Sequence, residues 1–219
     1  MKKILLLVTI VLGISSASAF ALDVPAFSDV PTDSVHASSN WNNYSGYLVN
    51  PTDQSSKQLW TGKWYNNTLN TRSYLQFTLP TLSIASASLM LYSFENDAAQ
   101  GNSSVSVYAT STGWNEATMT WNDQPVLIGS ALATTTVGKT FGWYSWDISE
   151  YASSLVPGAT LSLALTSTGP GHSYYARESS TGFGPKLSIT TTPEPVSMVL
   201  FGLGAGVLGL AQFRRNKKK

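Results

Sequence analysis

The sequence predicts an all-β fold, a sandwich or barrel of short strands, flanked by two terminal segments of a different character. Three observations carry this. Period-two alternation of apolar and polar residues recurs between residues 72 and 191. Clusters of turn-forming residues separate the alternating runs at near-regular spacing. The central region is rich in Ser, Thr, Asn, Gly and aromatic residues and poor in charge, a profile suited to extracellular β domains.

Taken from the N-terminus, Lys2 and Lys3 precede the apolar run Ile4 to Gly13 and the small residues Ala17-Ser18-Ala19. That order is the three-part form of a secretory signal peptide, expected to span residues 1–21 with cleavage after Ala19 or Ala21. An apolar run of about ten residues is too short to cross a bilayer, which takes roughly 20. Residues 22–192 then form one expected domain, long enough to bury a substantial core.

Within it, Arg72 to Leu79 places Leu75, Phe77 and Leu79 on one face and Tyr74, Gln76 and Thr78 on the other, a half-buried strand. After a turn at Pro80, Ala85 to Phe94 alternates Ala87, Leu89 and Leu91 against Ser88, Met90 and Tyr92, so these two strands should pair or stack. Further strands are expected at Val105 to Ala109, Trp143 to Ile148, Leu161 to Thr166, Tyr174 to Ala176 and Lys186 to Thr191. Turns fall at Asn96-Asp97, Gln100-Gly101-Asn102, Val137-Gly138, Pro157-Gly158 and Gly169-Pro170-Gly171. One short helical turn is expected at Ser149 to Leu155.

The last element is the apolar run Val196 to Phe213, followed at once by Arg214, Arg215, Lys217, Lys218 and Lys219. It reads as a single transmembrane helix whose basic end stays cytoplasmic, so the domain before it faces outward. The tripeptide Pro193-Glu194-Pro195 stands at the membrane face, where two prolines keep the backbone extended and accessible. Together the tripeptide, apolar run and arginine-led end resemble a PEP-CTERM sorting signal over residues 193–219. That resemblance implies an exported protein of biofilm-forming Gram-negative bacteria, anchored in the membrane as an intermediate. An exosortase then cleaves it, and it reaches the cell surface or extracellular matrix.

Charge narrows the partners. Seven of the 13 Lys and Arg lie in the two terminal segments, and all but Glu194 of the 12 acids lie between them. The domain therefore carries six basic against eleven acidic residues, a net charge near −5 that the whole-chain value of +1 conceals. Nucleic acid is excluded as a partner by that sign, because phosphate binding needs a basic surface. With no cysteine, neither disulfides nor thiolate metal sites can form.

Three clusters in the domain bear comparison with a known pattern: Thr71 to Phe77 with Ala85 to Tyr92; Trp114-Asn115-Glu116 with Thr120-Trp121-Asn122 and Pro125; and Trp146-Asp147-Ile148. With Tyr175-Ala176-Arg177-Glu178 ahead of Pro185-Lys186-Leu187, they resemble the DNRLRE domain family over about Asp33 to Thr190. The resemblance implies an antiparallel β-sandwich of jelly-roll type, related to carbohydrate-binding modules. The chain departs from the family in having Thr78 where an Asp usually follows the Leu-x-Phe strand, and in the longer stretch Asn50 to Lys57.

Sugar binding also suits the residues themselves. Pyranose rings present apolar C–H faces that stack on exposed aromatics, while their hydroxyls bond to Asn, Gln and Arg. Trp41, Tyr44, Trp60, Trp64 and Tyr65 lie in polar, Asn-rich sequence, and Tyr174, Tyr175 and Arg177 form a second group; these are the candidate carbohydrate-binding residues. Alternatively, Trp60 and Trp64 cap the core. Trp114, Trp121 and Trp146 are assigned to the core and His36 and His172 to the surface.

An enzyme is the rival reading. Glycoside hydrolysis needs two carboxylates flanking a bond, and Glu116, between Trp114 and Trp121, is the best candidate acid. A lyase would want a group such as His172, Tyr174, Tyr175 and Arg177. No Gly-x-Ser-x-Gly elbow, phosphate loop or dinucleotide fingerprint occurs, so no catalytic residue and no cofactor is assigned. A structural calcium could use Asp33, Asp97, Asp123 or Asp147, although no EF-hand spacing exists to place it. The expected function is non-catalytic polysaccharide binding by a surface or matrix protein, with a hydrolase or lyase, or a purely structural matrix protein, as alternatives.

Overall fold

The computed structural model describes residues 19–40, 58–64, 68–96, 101–179 and 182–192. Phe20–Thr192 make up one compact unit. Most of the segment expected as a signal peptide, residues 1–18, and the segment expected as a sorting signal, from Pro193, lie outside the described residues, as do Trp41, Tyr44 and Tyr65. Among the described residues, no helix is long and apolar enough to cross a membrane.

Among the described residues eleven strands and one short helix follow in order: β1 (Phe20–Pro25), β2 (Ser28–Asp33), β3 (Gln58–Trp64), β4 (Leu69–Thr78), β5 (Ile84–Asn96), β6 (Ser103–Thr110), β7 (Leu127–Val137), β8 (Gly142–Asp147), α1 (Ser149–Ser154), β9 (Thr160–Ser167), β10 (His172–Tyr175) and β11 (Lys186–Thr191). The strand pairings are antiparallel. In sheet A, β5 is central, paired with β8 along one side and with β11 and then β10 along the other, and β1 pairs with β11. In sheet B the order is β4, β9, β6, β7, with β2 and the end of β3 sharing the far side of β4. β3 joins both sheets, pairing with β10 through Gln58–Thr61 and with β4 through Gly62–Trp64.

The two predicted alternating strands do not pair; they stack across the core. Leu75 and Phe77 of β4 face Ala87, Leu89 and Leu91 of β5, joined by Leu161, Leu163 and Leu165, Val105 and Val107, and Leu187 and Ile189. This is the packing that period-two strands with one apolar face require. Trp146 sits in the middle, wholly buried, and donates its indole N–H from sheet A to the Val105 carbonyl of sheet B at 2.8 Å. Replacing it with Ala would open a cavity costing about 3–5 kcal/mol.

Four strands, β1, β2, β3 and β7, carry too little alternation to be predicted. β2 is buried at all six positions: Val30 packs with Tyr74 and Met119, and Asp29, on the alternate face, accepts from the Arg177 N–H. Its Pro31 is tolerated because β2 pairs only with β4, which leaves the missing N–H on an edge. The expected helical turn appears as α1.

The outer face of sheet B is covered around β2, β4 and β9 and exposed at Ser104, Thr134 and Thr136. Residues 113–126 fold over it and form a second apolar cluster of Val30, Tyr74, Met119 and Ala164 with Trp114 and Leu127. Tyr74 donates to Gln124 Oε1 at 2.7 Å and Trp114 Nε1 to Ser162 Oγ at 2.8 Å. Trp114 therefore lies in this outer cluster and not in the main core. Trp121 is half-buried beneath the Arg72 guanidinium, 5.3 Å from its ring centroid. Only Trp146 of the three tryptophans assigned to the core lies between the sheets.

Candidate functional site

Two places gather polar or aromatic side chains with chemical potential. The first is where the loop over sheet B meets the turn after β10. Arg177 directs Nη2 at both oxygens of Glu116, at 2.9 and 3.0 Å, and also pairs with Glu178. Its backbone N–H donates to Asp29 Oδ2 at 2.7 Å, and its Nε lies 3.9 Å from Asp29 Oδ1. Asp29 is 1% exposed. Burial, with Glu178 and Glu116 nearby, pushes its carboxyl up to about 8, against the pull of the Arg177 N–H. Burial works against the charge on Arg177, but Glu116, Glu178 and Asp29 outweigh it and hold the guanidinium protonated.

The chemistry of this cluster is that of a tie. It joins β2, the 113–126 loop and the 176–179 turn, with Asn40 clamping the same loop by donating to the Glu116 and Met119 carbonyls at 2.9 and 2.7 Å. Glu116, the candidate general acid, has both oxygens engaged by a guanidinium, which leaves it poorly suited to protonate a leaving group. Carboxylate oxygens of Asp29, Glu116 and Glu178 lie within 4.8 Å of one another, a spacing that could hold a cation. The Arg177 guanidinium already supplies positive charge there, and a metal ion would have to displace it. Of the acids expected for calcium, Asp33 accepts from the Val35 and His36 N–H groups, Asp123 from Thr120 and Asp147 from Ser149, while Asp97 lies outside the described residues.

The lyase group does not assemble. His172 and Tyr174 point inward from β10 and are fully buried, whereas Tyr175 takes the opposite face. His172 is thus a core residue and not a surface one; burial pushes its imidazole down to about 4, so it stays neutral. Tyr174 packs edge-on against Trp146, ring centroids 6.3 Å apart, and burial pushes its hydroxyl pKa up. It presents nothing to a ligand. Trp64 packs on Gly171, where a Cβ would stand 2.2 Å from the indole, and its Nε1 is buried without a partner. This contact supports the alternative reading of Trp64 as a cap. Trp60 is half-buried and donates to Gln58 Oε1 at 3.0 Å.

The second place is the outer face of sheet A. Tyr92 and Phe94 of β5 project there because Leu89, Leu91 and Ser93 occupy the inward positions. Tyr92 stacks on Phe183 at 4.2 Å between centroids, and Phe94 stacks on Tyr175 at 4.2 Å. Trp143, the register partner of Tyr92 on β8, meets Tyr92 edge-on at 5.6 Å and Phe183 at 6.1 Å. Lys186 lies over the Trp143 ring at 4.8 Å and pairs with Asp23 at 2.7 Å. Five rings from three strands and a loop thus form a continuous aromatic surface, with Trp143 36% exposed.

Of the predicted sugar-binding residues, this face contains Tyr175; Arg177 lies in the ionic tie. Its other rings, Tyr92, Phe94, Trp143 and Phe183, were not among the candidates. The signal was present for three of them: Tyr92, Phe94 and Trp143 occupy the alternate positions to Leu91, Ser93 and Trp146 on their strands. Phe183 sits in a loop and could not be placed by periodicity.

Residues 37–191 match carbohydrate-binding module family 96. No curated protein matches the chain. Among solved structures it is similar to the K1 cleaved adhesin domain of Lys-gingipain from Porphyromonas gingivalis W83, at 13% identity and TM-score 0.32, over 80% of this chain and 99% of that one. The K3 cleaved adhesin domain of the same protein is similar at 16% identity and TM-score 0.28, over 62% and 73%. At those scores neither likeness bears on the function.

Proposed function

The chain belongs to carbohydrate-binding module family 96, and from that premise we propose that it is a non-catalytic polysaccharide-binding protein whose binding surface is the aromatic outer face of sheet A. The observation that carries this reading is the contiguous set Trp143, Tyr92, Phe183, Tyr175 and Phe94 on a rigid sheet. Rings fixed by stacking on one another lose little freedom when a sugar's C–H face lies on them. The rival catalytic reading has less support, since Glu116 is held by Arg177, and of the lyase group His172 and Tyr174 are buried while Tyr175 takes the opposite face of β10 and Arg177 lies in the turn beyond it.

Export and sorting complete the reading: a signal peptide over residues 1–21 and a PEP-CTERM segment over residues 193–219, cleaved by an exosortase, would deliver a DNRLRE-type domain to the surface or matrix.

Affinity electrophoresis of the 22–192 fragment against a polysaccharide panel tests the binding site. Trp143→Ala combined with Tyr92→Ala should weaken binding at least about tenfold, the scale of a buried aromatic contact, with thermal stability still showing a folded domain. Undiminished binding in the folded double variant sinks the assignment. Mass spectrometry of extracellular material should find protein lacking Arg214 to Lys219; an intact tail in that fraction would contradict sorting.

A further inference from the structure

Two turns are laced together at the end of the domain where β11 finishes. Residues 79–83 join β4 to β5, and residues 155–159 join α1 to β9. Leu79 donates its N–H to the Ala159 carbonyl at 2.9 Å and Gly158 to the Pro80 carbonyl at 3.0 Å, which holds the turns to each other. Leu82 is 40% exposed on the first turn and Val156 73% exposed on the second. An apolar groove of about 150 Å³ lies here, lined by Leu79, Leu82, Ile84, Ala152, Leu155 and Val156 among others. The end of the domain is pinned to the same turns: Thr192 donates its N–H to the Ser83 carbonyl at 2.9 Å.

Chain length limits how far these turns can stand from the apolar run at the C-terminal end. That run begins at Val196, four residues after Thr192, and four residues reach at most about 14 Å when extended. The headgroup layer on each side of a bilayer's hydrocarbon core is about 5–8 Å deep. A chain that enters the bilayer at Val196 therefore keeps Ser83, with Leu82 beside it, in or just above the headgroups. The residues brought there suit that place. The stretches 73–94 and 151–176, which contain both turns, hold no Asp, Glu, Lys or Arg, although the domain carries eleven acids. Exposed Leu and Val side chains gain free energy by leaving water, and an uncharged stretch is spared the repulsion that anionic lipid exerts on carboxylates.

Resting on the reading of residues 196–213 as a membrane span, we propose that these two turns are a membrane-contact surface: before the tail is cleaved, Leu82 and Val156 lie in the headgroup layer of the bilayer that the span crosses. The contact sets the orientation of the domain. β5 leads away from it, and the eight residue steps from Ile84 to Tyr92 cover roughly 26 Å. The aromatic face is thereby held clear of the lipid and open to polysaccharide while the chain is still anchored. Two apolar side chains bury less than the single acyl chain that gives only marginal membrane binding. Cleavage of the tail therefore releases the domain.

The chain has no cysteine, so a single fluorophore can be placed by substitution. Residues 22–219, labelled at Thr81→Cys or at Thr140→Cys, are reconstituted into vesicles of phosphatidylethanolamine and phosphatidylglycerol that carry a nitroxide quencher on the lipid headgroup. Thr140 lies two residues before Gly142, which pairs with Ser93 toward the far end of β5. The Thr81 probe should lose most of its emission to the quencher, and the Thr140 probe should keep its own. In a Leu82→Asn/Val156→Asn background with wild-type thermal unfolding, most of the Thr81 emission should return. Val156→Asn alone, at the more exposed site, should act in the same direction should the double variant unfold. If the chain does not float with the vesicles, the membrane span fails and the contact with it. If it floats but the Thr81 probe is not quenched, the span stands and this surface is wrong. Quenching unchanged by the Asn substitutions would show that the tether alone holds this end near the lipid. A blue shift at Thr81 without lipid quenching would show that protein, such as a second copy of the chain, covers the groove, and would overturn the proposal.

Discussion

Gly171→Ala separates packing from binding at Trp64. Gly171 needs no unusual backbone angle; it is a glycine because the Trp64 indole lies on it. An added Cβ would stand 2.2 Å from Cε2 and 2.4 Å from both Cδ2 and Nε1, so reaching ordinary contact near 3.5 Å requires more than about 1 Å of movement. The turn cannot retreat. Lys63 donates to the Gly169 carbonyl at 2.9 Å, Gly62 lies so close that a Cβ there would be 2.5 Å from the Pro170 oxygen, and Gly169 faces Ser103 at 2.6 Å by the same measure. Overpacking of this kind costs about 2–3 kcal/mol, or a fall of roughly 5–10 °C in melting temperature for a domain of this size. Urea denaturation of the 22–192 fragment would measure it. In a Trp64→Leu background the same substitution should cost less than about 1 kcal/mol, since the indole it strikes is gone. Equal costs in the two backgrounds would refute the steric argument, and a loss of polysaccharide affinity in folded Gly171→Ala would refute the assignment of Trp64 to packing.

Stability should also depend on pH in two opposed ways. Asp29 holds its proton up to about pH 8 when folded but releases it near 3.8 when unfolded, so raising the pH through that window withdraws stability. His172 is neutral in the fold down to about pH 4, so its contribution is lost as pH falls from 6.5 toward 4. Between pH 6.5 and 8 only Asp29 acts. There, wild-type stability should decline by up to about 1.4 kcal/mol per pH unit, and Asp29→Asn should be flat; a wild-type rise in this range would contradict the buried proton. Asn40→Ala removes two hydrogen bonds to the 113–126 loop and should cost about 1–3 kcal/mol, with faster proteolysis inside that loop than in the wild type; unchanged cleavage would show that the clamp does not hold it.

The core strands were legible because burial of one face imposes alternation. Leu75 and Phe77, Leu89 and Leu91, and Leu161 and Leu163 announce their inward face in the sequence alone, and all are buried. β2 was not legible because both its faces are covered, which erases the period that exposure to water would have imposed. The site residues divide the same way. Tyr174 and Tyr175 look equivalent in sequence, yet adjacent positions on a strand face opposite sides, so one lies in the core and the other on the aromatic face.

By itself the sequence determined the class of fold, the acidic balance of the region between the two ends and the apolar and basic make-up of those ends, all of which follow from composition and local periodicity. The tertiary structure decided which aromatics meet, because Phe94 and Tyr175 are 81 positions apart and are brought into contact only by the pairing of β5 with β10. It decided too that Asp29, Glu116 and Arg177, remote in the chain, form one tie. Side chains that meet through strand pairing leave no trace in local spacing, since the pairing is chosen by the burial of the other face of each strand.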